Sequence, residues 1–144
     1  MKLGFIGTGK IASSVITGIC NSKISFIKIL ISPRNRLIAQ KLNKKFRKVY
    51  IAKNNEEIVN LSDWIFLSVT PLVGKKIIKN LKFRSNQIVI SFISTITLSQ
   101  LKKAIKVKAK IIRAIPLPPI SLKKGPVPIC PPNKQVKNFF NKIG

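Results

Sequence analysis

The sequence predicts an α/β fold, a three-layer sandwich in which a mostly parallel sheet lies between flanking helices. Short apolar runs alternate with amphipathic stretches of helical length, the pattern of β–α units feeding a sheet buried on both faces. Each apolar run is bounded by Gly, Pro, Asn or a polar cluster, and nothing repeats at a fixed period. The 144 residues are a length for one domain with a true core. A folded chain of this size buries roughly 68% of the surface its unfolded form exposes.

The elements follow in order. Lys2–Ile6 is the first strand and ends at Gly7. Ile11–Cys20 carries apolar residues at helical spacing. Phe26–Ser32 is the second strand, and Arg36–Phe46, with Leu37, Ala39, Leu42 and Phe46, the second helix. Lys48–Ala52 is a third strand, followed by the short helix Glu56–Leu61 with Asn55 as its N-cap. Trp64–Val69 is the fourth strand; Pro71 opens the next helix, whose amphipathic body is Gly74–Leu81. Gln87–Phe92 comes fifth, then a helix over Leu98–Ile105 behind a Thr97/Gln100 capping box. Lys110–Ala114 is the sixth strand, Val127–Ile129 a weaker seventh, and Gln135–Ile143 the last helix.

Residues 115–132 hold most of the prolines, a density that excludes helix. The segment also keeps Ile115, Leu117, Ile120 and Leu122. It therefore reads as a rigid loop packed over a sheet edge rather than as a linker, which would be polar.

Composition removes several chemistries. Without histidine, no imidazole base, nucleophile or metal ligand exists in this chain. With only Glu56, Glu57 and Asp63 as acids, a carboxylate metal cage or a paired-carboxylate glycosidase site is excluded too. No metal site and no catalytic side chain is assigned. Cys20 and Cys130 form no C-x-x-C pair and read as reduced thiols, which fits a cytoplasmic setting. Neither a signal peptide nor a membrane span is read from the apolar runs. The balance of 28 Lys and Arg against 3 acids gives a net charge of +25. The basic residues are spread through every segment and do not interleave with aromatics, so they are read as a solvated surface rather than a specific nucleic-acid interface. Such a field still attracts small anions.

The chemistry is concentrated at Gly7-Thr8-Gly9-Lys10-Ile11-Ala12, a G-x-G-x-x-A string between the first strand and the first helix. In that context Gly7 permits the tight turn, Gly9 admits a pyrophosphate close to the backbone, and Ala12 allows close helix–strand packing. The pyrophosphate then meets the positive helix end. A glycine turn with no ligand is the competing reading; the register of strand, motif and helix favours the dinucleotide, and with it a Rossmann-like fold. At the end of the second strand, where an NAD site places an acid for the ribose, the chain reads Ser32-Pro33-Arg34-Asn35-Arg36. Hydroxyl and guanidinium suit a 2′-phosphate, so NADP(H) is expected over NAD(H). An incidental arginine in a basic surface loop is the alternative. Ser68-Val69-Thr70-Pro71 and Phe92-Ile93-Ser94-Thr95 fall where cofactor-facing loops lie, and also read as ordinary strand-to-helix turns.

Taken together, Gly4–Ala12, Ser32-Pro33-Arg34, Ser62–Pro71, Arg113–Pro119 and Lys124–Pro131 resemble the pyrroline-5-carboxylate reductases, in the right order over nearly the whole chain. Their corresponding strings are G-F-I-G-x-G-x-M-A, S-x-R or S-P, A-D-V-I-F-L-A-V-K-P and R-x-M-P-N-T-P. The resemblance implies NADPH-dependent reduction of the cyclic imino acid 1-pyrroline-5-carboxylate to L-proline. It also implies that Gly7, Thr8, Gly9, Lys10, Ile11 and Ala12 hold the pyrophosphate, and that Ser32, Arg34 and Asn35 hold the adenosine end. Asn55 would lie near the adenine ribose, and Val69, Thr70 and Pro71 would line the path to the nicotinamide.

Three departures fall at the reacting end. Thr70 stands for the family lysine, Thr95 for a glycine, and Leu117 and Pro118 for Asn and Thr. The family also carries a helical domain that forms its homo-oligomer and completes the substrate site. Residues 1–144 are accordingly expected to be a nucleotide-binding domain without that helical partner. Another NADP-dependent imine or ketone reductase, and a non-catalytic NADP-binding module, are the alternative functions.

Overall fold

A computed structural model describes residues 1–144. It contains strands β1 (Lys2–Ile6), β2 (Lys28–Ile31), β3 (Val49–Ile51), β4 (Trp64–Leu67), β5 (Ile88–Ser91), β6 (Lys110–Ala114) and β7 (Ile129–Cys130). The α-helices are α1 (Lys10–Cys20), α2 (Arg36–Lys45), α3 (Asn55–Leu61), α4 (Pro71–Ile77), α5 (Leu98–Ile105) and α6 (Lys134–Asn141). Two 3₁₀ turns cover Ile78–Asn80 and Pro118–Leu122.

All seven strands join one sheet in the order β3-β2-β1-β4-β5-β6-β7, parallel except for the antiparallel β7. The sequence order reverses between β1 and β4, where Leu3 pairs with Trp64 and Phe5 with Phe66. In an open α/β sheet, the carboxyl ends of such a strand pair form the ligand crevice.

Alternation along the strands divides the core into two. From β1 and β4, Leu3, Phe5, Trp64 and Phe66 face the layer holding α1, α2 and α6. Ile6, Ile65 and Leu67 face the layer of α3, α4 and α5. Phe5 and Phe66 stack at 4.4 Å between centroids, and Phe139 and Phe140 of α6 close over them. This rigid centre holds the crevice.

Several elements differ from the sequence reading. α3 is capped by Asn54, whose side chain accepts from the Glu57 amide at 2.9 Å, and Asn55 is already helical. The residue three places past a cap is where a Glu reaches back, and here the Glu57 carboxylate accepts from the Lys53 amide. The other end of α3 is closed from outside it: Gln87 Nε2 donates to the carbonyls of Val59 and Ser62, and Arg84 to those of Val59, Asn60 and Ser62. Residues 115–132 do contain a helical piece, the 3₁₀ turn Pro118–Leu122, because prolines in a first helical turn have no N–H to lose. The turn packs on α1 rather than over the sheet edge: Ile120 is buried, and a Cβ added at Gly18 would collide with its carbonyl oxygen. The sheet edge is taken by β7, which starts two residues and ends one residue later than the spacing suggested.

The two thiols differ in burial. Burial pushes the Cys20 thiol up to about 11, against the lowering effect of Lys48, whereas Cys130 is exposed. Because the thiolate is the nucleophile, alkylation followed by mass spectrometry near neutral pH should label Cys130 first, with Cys20 reacting at least roughly tenfold more slowly.

Candidate nucleotide-binding groove

Three strand ends build one groove. The turns after β1, β2 and β4 contribute Gly7 to Gly9, Arg34 to Leu37 and Ser68 to Thr70, which together with Val73 line a cavity of about 600 Å³. A second hollow of about 350 Å³ shares Gly9, Ser68, Val69 and Thr70 as its wall and adds Lys10, Ile11, Phe92, Ser94, Ile115 and Pro116. The two lie on either side of one wall, a shape for an elongated ligand that crosses from the β2 side to the β5 side.

The glycines of the first turn answer different demands. Gly7 has φ +99°, and a Cβ there would strike the Ser68 carbonyl. It is required by the fold itself. Gly9 has ordinary φ, and a Cβ there would meet no protein atom within 4 Å. Nothing in the protein asks for glycine at position 9. It keeps the backbone bare on the groove side, where a pyrophosphate needs close approach.

Gly9 is also the N-cap of α1, and no side chain caps that helix. All five other α-helices have a side-chain cap, from Asn35, Asn54, Thr70, Thr97 and Asn133. The uncapped N-terminus leaves backbone donors and a positive dipole facing the groove, which suits an anion.

On the opposite wall, Arg34 and Arg36 flank Asn35, the cap of α2. Cations at a helix N-terminus oppose the dipole. No carboxylate lines either hollow to compensate them. This wall is therefore electrostatically unfavourable until an anion meets it.

The structure gathers Gly7, Thr8, Gly9, Arg34, Asn35, Val69 and Thr70 on the larger cavity, and Lys10 and Ile11 on the smaller. Pro71 lines neither; it is exposed at the first position of α4, where it starts the helix. Ala12 is fully buried and lets α1 approach the sheet. Ser32 and Asn55 lie behind the groove rather than on it. The Ser32 side chain is buried, accepts from the Gly7 amide at 2.9 Å and reaches Asn55 Oδ1 at 2.9 Å, while Thr8 Oγ1 bonds the Ser32 carbonyl. Ser32, expected at the adenosine end, is engaged in supporting the glycine turn. Ser32→Ala should leave the Gly7 amide without its acceptor and cost about 1–3 kcal/mol in denaturant unfolding.

Sequence reasoning missed Arg36 and Leu37, because both were absorbed into the periodicity of the second helix. The signal for Arg36 was a second guanidinium two places after Arg34. Arg113, read as a strand terminator, reaches with its guanidinium to the Ser94 carbonyl and ties the loop after β5 to β6. Phe92 and Ser94 of that loop line the smaller hollow.

A doubly wound sheet, a G-x-G turn at its switch point and an uncapped helix behind that turn define a pyridine-nucleotide-binding domain of the Rossmann type. The chain belongs to the family described as NADP oxidoreductase, coenzyme F420-dependent, whose model matches residues 2–95. Its relatives include pyrroline-5-carboxylate reductase 3 of Danio rerio, 30% identical over 128 residues that make up 87% of this chain and 44% of that protein. The pyrroline-5-carboxylate reductase of Escherichia coli strain K12 is 27% identical over 133 residues, 90% of this chain and 49% of the other. Among solved structures, the Plasmodium falciparum pyrroline carboxylate reductase with NADP bound superposes with a TM-score of 0.83 at 24% identity, covering 100% of this chain and 55% of that one. The corresponding enzyme of Streptococcus pyogenes gives 0.78 at 21%, over 100% and 56%. These superpositions establish the fold, and the curated relatives carry the resemblance to pyrroline-5-carboxylate reductases. The chain spans about half the length of the curated relatives it matches. No helix is long and apolar enough to cross a membrane.

Proposed function

We propose that this domain binds NADP(H) in preference to NAD(H) and serves the reduction of 1-pyrroline-5-carboxylate to L-proline. The observation that carries the cofactor choice is the pair Arg34 and Arg36 on a groove wall without a carboxylate. The names of the curated relatives support the substrate. NADPH, when bound, supplies a hydride to the imine carbon, leaving the protein to position and to neutralise charge. In this reading Gly7, Thr8 and Gly9, with Lys10, Ile11 and Ala12 opening α1, form the pyrophosphate seat. Arg34, Arg36 and Asn35 hold the 2′-phosphate end. Ser32 and Asn55 keep the glycine turn in shape from behind. Val69 and Thr70 form the wall that the dinucleotide crosses, and Pro71 fixes where α4 begins after it. The helical domain that the resemblance implies would complete the substrate site.

One feature favours a second substrate reading. At the reacting end, Thr70, Leu117 and Pro118 replace the Lys, Asn and Thr of the resembled motifs, and Leu117 is exposed. A different imine or a ketone would then take the same hydride.

Titration of the purified chain with NADPH and with NADH, followed by nicotinamide fluorescence, tests the cofactor assignment. NADPH should bind at least tenfold more tightly, since one charge-assisted hydrogen bond is worth about 1.5–3 kcal/mol. Equal affinities would remove the NADP assignment, and no binding of either nucleotide would remove the pyrophosphate seat.

A further inference from the structure

Away from the nucleotide groove, α4 and its 3₁₀ extension lie beside α5 on the outer face of the second helical layer. A cavity of about 540 Å³ runs between them. Its apolar lining comes from Ile78, Ile96, Leu101 and Ala104. Gly74 lets α4 sit close to the loop before α5, since a Cβ there would press on Ile93 and Ile96.

Lysines line both sides of this trough. Lys75 and Lys79 are four residues apart on the α4 side, and Lys103 and Lys106 three apart on the α5 side. Lys75 lies on α4 and Lys79 on its 3₁₀ extension, while Lys103 lies on α5 and Lys106 is the C-cap residue that follows it. Lys106 also borders a second hollow of about 410 Å³, lined by Lys102, Lys108, Val107 and Ile111. The two hollows meet at Lys106 and extend the same mixture of apolar and cationic side chains. No acid lines either one. Two of the three acids are engaged at the ends of other elements, Asp63 with the Lys2 amide and Glu57 with the Lys53 amide.

Charge complementarity, an apolar floor and an elongated outline together specify the occupant. A compact anion would use one end and leave the remaining lysines facing one another. We infer that the α4–α5 trough docks an acidic amphipathic segment of a partner protein, with its apolar side chains on the floor and its carboxylates between the two lysine rows. Recognition of this kind draws mainly on register from the charges, because the floor side chains Ile78, Ile96 and Leu101 are almost fully buried in the core.

The test uses a short Glu/Leu peptide with its leucines on one helical face. A scrambled peptide of the same composition and a single-stranded oligonucleotide serve as competitors. Binding to the 144-residue chain at physiological salt is followed by amide chemical shifts. The patterned peptide should bind at least tenfold more tightly than the scramble and perturb α4 and α5. Lys75→Glu/Lys103→Glu should weaken it by at least roughly tenfold. Lys41→Glu/Lys44→Glu, the same change of net charge on α2, should leave it unaltered. Equal binding of patterned and scrambled peptides, equal weakening by the α2 substitutions, displacement by the oligonucleotide at similar concentration, or no binding would each overturn the inference.

Discussion

Gly9→Ala is expected to fold as stably as the parent chain and to lose NADPH affinity by roughly 10- to 100-fold, whereas Gly7→Ala is expected to lose both fold stability and binding. The difference follows from what each missing Cβ would meet. At Gly7 the backbone is left-handed and the Ser68 carbonyl sits where the methyl would go. The conformation alone costs an L-residue about 1–2 kcal/mol. The collision adds to that, because the carbonyl belongs to the end of β4 and cannot move without disturbing the sheet. At Gly9 the methyl would enter open space, so the native state is unstrained, and the reduced freedom of the unfolded chain, up to about 1 kcal/mol, offsets the poorer N-cap that alanine makes for α1. What the methyl does obstruct is the bare backbone at the mouth of α1. Thermal melts and nucleotide titrations on both variants separate the two effects. If Gly9→Ala binds NADPH as the parent does, the turn is only a turn; if Gly7→Ala keeps its melting temperature, its backbone is not the one described.

The sequence made the layered architecture legible because apolar periodicity reports burial directly. β1 is bounded by Gly7, so its extent was clear, whereas β4 ends at Leu67, two residues before the end of the apolar run that reads as strand, because the chain turns at Ser68 into the loop before α4. The support that Ser32 gives the glycine turn was not legible, because strand spacing says that a hydroxyl stands at the end of β2, not which way it points. Parity would have helped: Leu30 and Ser32 are two residues apart, and Leu30 faces the α3 layer rather than α1. With Asn54 and Asn55 adjacent, the cap was decided by a backbone dihedral; the sequence clue was Glu57, which is three residues from Asn54. The α4–α5 trough left no motif at all, since its lysines read as a general surface until two helices are set side by side.

Arg34→Asp should lower NADPH affinity by roughly 10- to 150-fold, leave NADH binding equal or stronger, and thereby remove or reverse the cofactor preference. The lower bound is the loss of one charge-assisted hydrogen bond to a phosphate, about 1.5–3 kcal/mol, at tenfold per 1.4 kcal/mol. The aspartate adds repulsion toward a 2′-phosphate and offers an acceptor to the ribose hydroxyls of NADH. Arg36→Gln separates binding from stability. Arg36 is the first residue of α2, where a cation opposes the helix dipole, so its removal should stabilise the free protein by about 0.3–1 kcal/mol while weakening NADPH. A residue serving only the fold would move the two quantities together. Both guanidiniums are exposed, so salt should narrow the NADPH advantage of the parent chain and have little effect on Arg34→Asp. A preference that survives Arg34→Asp, or that ignores salt, would place the discrimination elsewhere in the groove and leave Arg34 as one surface cation among many.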